Sequence, residues 1–342
     1  MRSNLPQNSA ILNLFQDLFT RKVTFQVISN LNLNMNKKSL TAFSLIEISI
    51  VILIVGILAS GVILASQILE TSRINVARSV TQSSEVAGIK NLALWLETTS
   101  DKSFSNFDSI NNGDEISTWY DINPSASSKS NATQSSATRK PLFYSNSING
   151  LPALKFDGVD DVLNVSGLYL NTSFPEINNN FSLFIVALAT STITVRAEGN
   201  TGVGGTSSQL YLLGSRHGDA NYGVSLNTGG AGISFGTNGI TFYEHASNYM
   251  PPILSYTVSK TVPVIIDMEY NSGTPSLYLN GSFIRTGLTG SKTYIFPPYQ
   301  IGGGQYGFFQ GYIGEVIVYS RKIKAEERDA VNNYLKKKWN IN

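Results

Sequence analysis

Residues 41–68, TAFSLIEISIVILIVGILASGVILASQI, constrain this chain more than any other segment. From Phe43 the run is apolar for about 20 residues, the length of one helix crossing a bilayer. A single carboxylate, Glu47, interrupts it at the fifth position counted from Phe43. A charge in such a run is costly in lipid and needs a reason. Lys37 and Lys38 precede it and favour a cytoplasmic start. An ordinary secretory signal fits less well, because its apolar core is ~7–15 residues long and ends at a small-residue cleavage site. Gly56 and Gly61 lie inside the run, where glycine is tolerated and lets helices approach closely.

At 342 residues the chain has room for one large or two small domains. Charged residues are 14%, well below the usual share, and Asn, Ser, Thr and Gly take their place. A net charge of +2 without a basic stripe argues against nucleic acid as a partner. There is no cysteine, hence no disulfide, thiolate metal site or cysteine nucleophile. A chain this long can bury enough apolar area to do without disulfides. His217 and His245 are too few for a multi-histidine metal site.

Past the span, residues 67–90 carry Ile68, Leu69, Ile74, Val76, Val80 and Val86 among polar residues, compatible with an amphipathic continuation of the helix. Near Lys90 the pattern changes to short apolar stretches between Gly, Asn and Ser turns. FSLFIVALA (181–189), QLYLLGS (209–215), YGVSLN (222–227), PVIIDMEY (263–270), SLYLNGSFI (276–284) and YIGEVIVYS (312–320) predict the strands of a sandwich or barrel. Asn280-Gly281 predicts a two-residue hairpin, since both positions tolerate positive φ. Gly302, Gly303 and Gly304 lack the lysine and following helix of a phosphate loop and read as a loop or bulge. AEERDAVNNYLKKKW (325–339) predicts a closing helix, with acids in its first turn and lysines in its last, both favourable to the helix dipole. Val331, Leu335 and Trp339, with Tyr334 beside them, give that helix one apolar face.

The residues KKSLTA-FSLIE resemble the processing site of type IV prepilins and type II secretion pseudopilins. The resemblance implies cleavage by a prepilin peptidase between Ala42 and Phe43, and N-methylation of the new amine. It implies that Glu47 pairs with the N-terminal amine of a neighbouring subunit while the helix packs into a fibre core. Ala42 departs from the family's usual glycine. Met35 begins MNKKSLTA, a short basic leader of the family's kind, so residues 1–34 are expected to be upstream sequence. The expected division is a leader at 35–42, a transmembrane and pilin-like helix at 43–89, and a β-domain at 90–342.

LALWLE (92–97), ISTWYD (116–121), LPALKFDGVDD (151–161), LYLNG (277–281) and GYIGEVIVYSRKIKAEERDAVNNYLKKKW (311–339) resemble the concanavalin A-like, laminin-G-type jelly roll. That implies a mainly β fold, two antiparallel sheets of about six or seven strands each, and a short C-terminal helix, with no single activity attached. Some relatives hydrolyse glucans with E-x-D-x-x-E or E-x-D-x-E on one strand. Here Asp267 and Glu269 share a face but Ile265 replaces the leading acid, so the pair is expected to face solvent opposite Ile266 and Met268, and no enzyme is expected. Asp157, Asp160 and Asp161 cluster in an acid-rich turn whose oxygens suit calcium, although Asp-Gly is also ordinary turn chemistry. No other cofactor is expected.

Trp119, Tyr120, Tyr211, Tyr222, Tyr243, Tyr249, Tyr299, Tyr306, Phe308 and Phe309 are candidate ligand contacts, with Tyr306, Phe308 and Phe309 set in a glycine-rich stretch; for any one of them packing is the favoured reading, since aromatics dominate sandwich cores. The expectation is a single-pass inner-membrane subunit, pilin or pseudopilin, that displays a lectin-like sandwich in the periplasm or outside the cell. Its partners would be the peptidase, other subunits, and a glycan or surface protein. The alternatives are an anchored adhesin that never enters a fibre and a polysaccharide-active enzyme.

Overall fold

The computed structural model describes residues 45–165, 179–215 and 227–342. It divides into two compact units, at Leu58 and Ala59. The described residues of the first are helical and exposed throughout. They begin helix α1, Leu45–Gln82, which is built from residues without a proline or an internal charge run to break it. A methyl group added at Gly56 or Gly61 would meet nothing within 4 Å in the described chain, so neither glycine is required by a contact inside it.

In the second unit the last turns of α1 dock on a β-sandwich. Ala77 and Thr81 are buried there. Arg78 donates from Nε to Thr99 O at 2.7 Å and lies 4.7 Å over the ring of Phe107. The helix thus continues past the apolar span, as the amphipathic pattern predicts, and a 3-10 turn at Val86–Gly88 leads into the first strand.

Among the described residues, one sheet has eight strands, in the order β14 (Ser282–Thr286), β13 (Thr274–Leu279), β12 (Val264–Asn271), β7 (Asn180–Ala189), β19 (Gln310–Tyr319), β5 (Leu151–Asp157) and β4 (Leu142–Ile148), with β1 (Leu92–Glu97) also on β19. The other has nine. Its order is β11 (Pro252–Thr257), β10 (Gly239–His245), β9 (Thr228–Gly236), β8 (Tyr211–Gly214), β16 (Gln300–Ile301), β6 (Leu163–Val165), β3 (Ala132–Thr133) and β2 (Thr118–Trp119), with β15 (Tyr294–Phe296) parallel to β9. A ribbon of β17 (Gly303–Gly304) and β18 (Gly307–Phe308) lies apart, where the glycine run predicts a loop or bulge. The sheets are wider than the six or seven strands expected, because β1 adds to β19 and strands of two or three residues extend the second sheet.

Alternation on β7 shows how the layers form. Leu183, Ile185 and Ala187 enter the core between the sheets, while Phe184 and Val186 face the opposite way, into a second core. That second core is closed by helix α2, Ala325–Trp339, through Val331, Leu335 and Trp339. The hairpin between β13 and β14 turns at Asn280 and Gly281 with φ of 48° and 76°, both positive as predicted.

Beneath α2 lies a fully buried ion cluster. Lys338 Nζ donates to Glu97 Oε2 at 2.8 Å, Glu315 Oε2 at 2.9 Å and the Tyr334 hydroxyl at 3.1 Å, so its three protons are all used. Glu315 also accepts from the indole N–H groups of Trp95 and Trp339, each at 2.8 Å. Glu97 accepts the backbone N–H groups of Thr99 and Ser100, both at 2.6 Å. Removing the cation would strand two carboxylates in the core. Lys338→Met is therefore expected to lower stability by about 3–5 kcal/mol in urea unfolding; a loss below about 1 kcal/mol would show that the cluster is dispensable.

Candidate functional site

Ala42 and Phe43, the expected processing residues, lie outside the described residues, as do Met35, Tyr222 and His217. Glu47 sits in the first turn of α1, where its charge opposes the positive end of the helix dipole. From Leu45 to Leu69 the helix presents large apolar side chains to its surroundings, among them Leu53 at 63% and Leu58 at 64% exposure. Among the described residues this is the one helix long and apolar enough to cross a membrane, by length and composition.

On the sandwich, the three neighbouring aromatics part company. Phe309 is fully buried in the core between Phe156 and Phe235, with ring centroids 6.5 and 6.2 Å away. It packs and cannot meet a ligand, which corrects the expectation for this residue. Phe308 is half-buried on the ribbon, with the Arg139 guanidinium 6.0 Å from its ring. Tyr306 is half-buried and packs on a separate cluster of Tyr211, Tyr243 and Met250.

That cluster occupies the outer face of the second sheet. Alternation on β10 sends Ile240 and Phe242 into the core and Tyr243 outward. Tyr211 and Tyr243 meet at 5.9 Å, and the Tyr211 hydroxyl donates to Gly205 O at 2.7 Å. Burial pushes both phenols above their ordinary pKa, so they remain neutral hydroxyls. His245 follows on the same face, with its ring 5.3 Å from that of Tyr306 and its Nδ1 3.1 Å from Ser215 Oγ. Tyr211, Tyr243 and Tyr306 thus come together, but Tyr211 and Tyr243 are buried, which leaves the half-buried Tyr306 as the ring of the group within reach of a ligand. Ser215 and His245 were not foreseen as a pair, because they stand 30 residues apart with no motif to link them.

The acid-rich turn is compact. Asp157, Asp160 and Asp161 bring carboxylate oxygens within 4.8 Å of one another. Much of their capacity serves the turn itself. Asp157 Oδ1 accepts from the backbone of Val159 at 2.8 Å, and Asp161 Oδ2 accepts from the backbone of Asp157 at 2.9 Å. Asp161 is buried, unlike the exposed carboxylate that the turn pattern suggests. Three carboxylates carry six oxygens and suit a hard cation such as calcium, whose further ligands can be backbone carbonyls or water.

Asp267 and Glu269 share one face of β12, as the spacing predicts, but that face is not solvent. Alternation settles which way the acids point; α2 covers the face they point to. Arg328, on α2, pairs with Asp267 at 3.2 Å and with Glu269, and Asn332 donates to Asp267 Oδ2 at 3.1 Å. Lys322 completes the set with Glu269 at 2.8 Å. Asp267 is 0% exposed, so no substrate reaches it in this arrangement. Burial raises its pKa to about 7 in spite of Arg328.

No family model matches the chain, and no curated protein matches it. Among solved structures, a Trypanosoma rangeli sialidase in complex with sialic acid aligns over 73% of this chain and 33% of its own, at 15% identity and a TM-score of 0.42. The botulinum neurotoxin serotype D binding domain aligns over 73% of this chain and 52% of its own, at 13% identity and a TM-score of 0.45. The binding domain of Paraclostridial Mosquitocidal Protein 1 aligns over 71% and 52%, at 13% identity and a TM-score of 0.43. The aligned part of this chain therefore spans between 33% and 52% of those chains.

The Asp267 environment fixes a sign for pH dependence. Its pKa rises from an ordinary 3.8 to about 7 on folding, so the fold favours the protonated acid. The contribution is fully present below pH 4 and is lost as pH rises through about 7. Asp267→Asn should flatten the fall in melting temperature between pH 5 and pH 8 that the parent shows. An equal fall in the variant would place the titrating group elsewhere.

Proposed function

We propose that this chain is a pilin-like membrane subunit that displays a lectin-like sandwich outside the membrane. The observation that carries the reading is Ala42 and Phe43 directly ahead of an exposed apolar helix that has Glu47 in its first turn. Such a helix must be covered by lipid or by other helices, because water would solvate its side chains poorly. A cut at Phe43 creates an amine close to the start of that helix, and Glu47 supplies the opposite charge for the amine of a neighbouring subunit. The partners are then the prepilin peptidase and other pilin or pseudopilin subunits. The location is the inner membrane, with the head in the periplasm or outside the cell after assembly.

The sandwich takes the binding role. On its outer face the half-buried Tyr306, backed by the buried Tyr211 and Tyr243, and the half-buried Phe308 offer aromatic surface, the chemistry that meets glycans and protein surfaces. The bulk of this head suits a minor or tip subunit better than a major one, since close helical packing leaves little room at high copy number. No catalytic role is assigned. The anchored adhesin remains the second reading, favoured by the same exposed helix should the leader be retained.

Mass spectrometry of the mature N-terminus, from native membranes with and without the peptidase, separates the two. The expected result is a peptide starting at N-methylated Phe43 that disappears when the peptidase is removed. A chain retaining residues 35–42 in both cases would overturn the pilin-like route and leave the anchored sandwich. Glu47→Ala should still be cleaved yet be absent from sheared fibres; normal incorporation would remove the pairing role of Glu47.

A further inference from the structure

The segment between β7 and β8 crosses the outer face of β10 and β11 before it reaches the aromatic cluster. Gly199 N–H donates to Pro252 O at 3.0 Å and Gly205 N–H to Met250 O at 2.9 Å, which tie it along that sheet edge. Between this segment, β11 and β14 lies an open, polar depression of about 400 Å³ whose lining includes Arg196, Glu198, Ser255, Thr257 and Arg285.

The charges around the depression do not cancel. Arg285 pairs with Glu198 at 2.8 Å, and the other oxygen of Glu198 accepts the Ser255 N–H at 2.9 Å. Both oxygens of Glu198 are thereby engaged. Arg196 has no carboxylate partner among the described residues. Its Nη2 donates to Ser207 Oγ at 3.0 Å, and its Nε is buried without a hydrogen-bond partner. Ser255 Oγ is also buried without one. Thr241 stands directly opposite Ser255 in the β10–β11 register, and its hydroxyl is engaged with that of Tyr243, two residues along the same face. Buried polar atoms without partners are rare in folded proteins, and Arg196 Nε and Ser255 Oγ, two in one neighbourhood, mark a place where hydrogen bonds are still to be made. One excess guanidinium matches a monoanion, and the hydroxyl groups around it match a polyol.

We infer that this depression binds a carboxylate-bearing sugar residue, with Arg196 facing the carboxylate and Ser255 and Thr257 meeting the hydroxyls. The inference rests on the binding role proposed for the head and adds its ligand class. It places the principal contact at the sandwich edge, beside the aromatic cluster.

The test is direct binding of the full chain in detergent to oligogalacturonate and to the same oligosaccharide with its carboxylates reduced to alcohols. Arg196→Gln and Ser255→Ala are run beside the parent, with melting temperatures as a check on folding. The parent should bind the acidic sugar at least about tenfold more tightly than the reduced one, and Arg196→Gln should lose that preference. Ser255→Ala should weaken both sugars, which keeps the test sharp if the arginine variant folds poorly. An acidic sugar bound equally well by parent and both variants would overturn this site while the head's binding role stands, as would equal binding of the two sugars. No binding of either sugar would overturn the ligand class, and failure across a broad panel of glycans and surface proteins would remove the binding role itself.

Discussion

The Lys338 ammonium is the point on which the outer layer of the sandwich converges. It stands at the last turn of α2 and is shared by Glu97 of β1 and Glu315 of β19. Tyr334, one turn earlier, bonds to Glu315 at 2.7 Å and lies 3.2 Å from Thr81 Oγ1 on α1. Two helices and two strands therefore meet in a single hydrogen-bonded group with no access to water. Every donor of the lysine is satisfied, which is the condition under which burial of such charges is tolerable. The arrangement also fixes where α2 ends on the sheet, because sliding it by one residue would separate the ammonium from both acids.

Once α2 is held there, much of the outer face of the first sheet is no longer surface. Val331, Leu335 and Trp339 cover Phe184, Val186 and Ile317, and Arg328 covers Asp267 and Glu269. The surface left uncovered is that of the second sheet and of the edge where β11 approaches β14. Arg196 Nε and Ser255 Oγ, buried without partners, and the half-buried rings of Tyr306 and Phe308 lie there. The helix-covered sheet supports the fold, and the opposite one carries the groups that remain available for chemistry.

Much of this was legible in the residues themselves. The apolar run at 41–68, the two-residue turn at Asn280-Gly281 and the charge gradient along α2 are local signals, and local physics decides them. The misread positions share a different cause. The alternation of β12 correctly puts Asp267 and Glu269 on one face, but what lies over that face comes from a helix about 60 residues later. Phe308 and Phe309 are adjacent in sequence, and only the start of β19 sends one to the rim and the other to the core. The lysines of α2 read as the end of a helix, and all three stand in its last turn. That Lys338 is buried there had no local signal, because its partner Glu97 is 241 residues away. The depression beside Arg196 had no sequence signal, since it depends on which hydroxyls find partners after folding.

The account as a whole depends on the apolar half of α1 being covered while the sandwich is free. The chain has no cysteine, so single cysteines report without background. Ile54→Cys, within the span, and Phe283→Cys, on the exposed strand β14, should be compared in intact cells with a membrane-impermeant maleimide, before and after detergent. Both positions are at least half exposed in the isolated chain, at 50% and 57%. The account predicts that Cys at 283 labels once the outer membrane is permeabilised, and that Cys at 54 labels only after detergent. Equal labelling of both positions without detergent would contradict a membrane- or fibre-embedded helix.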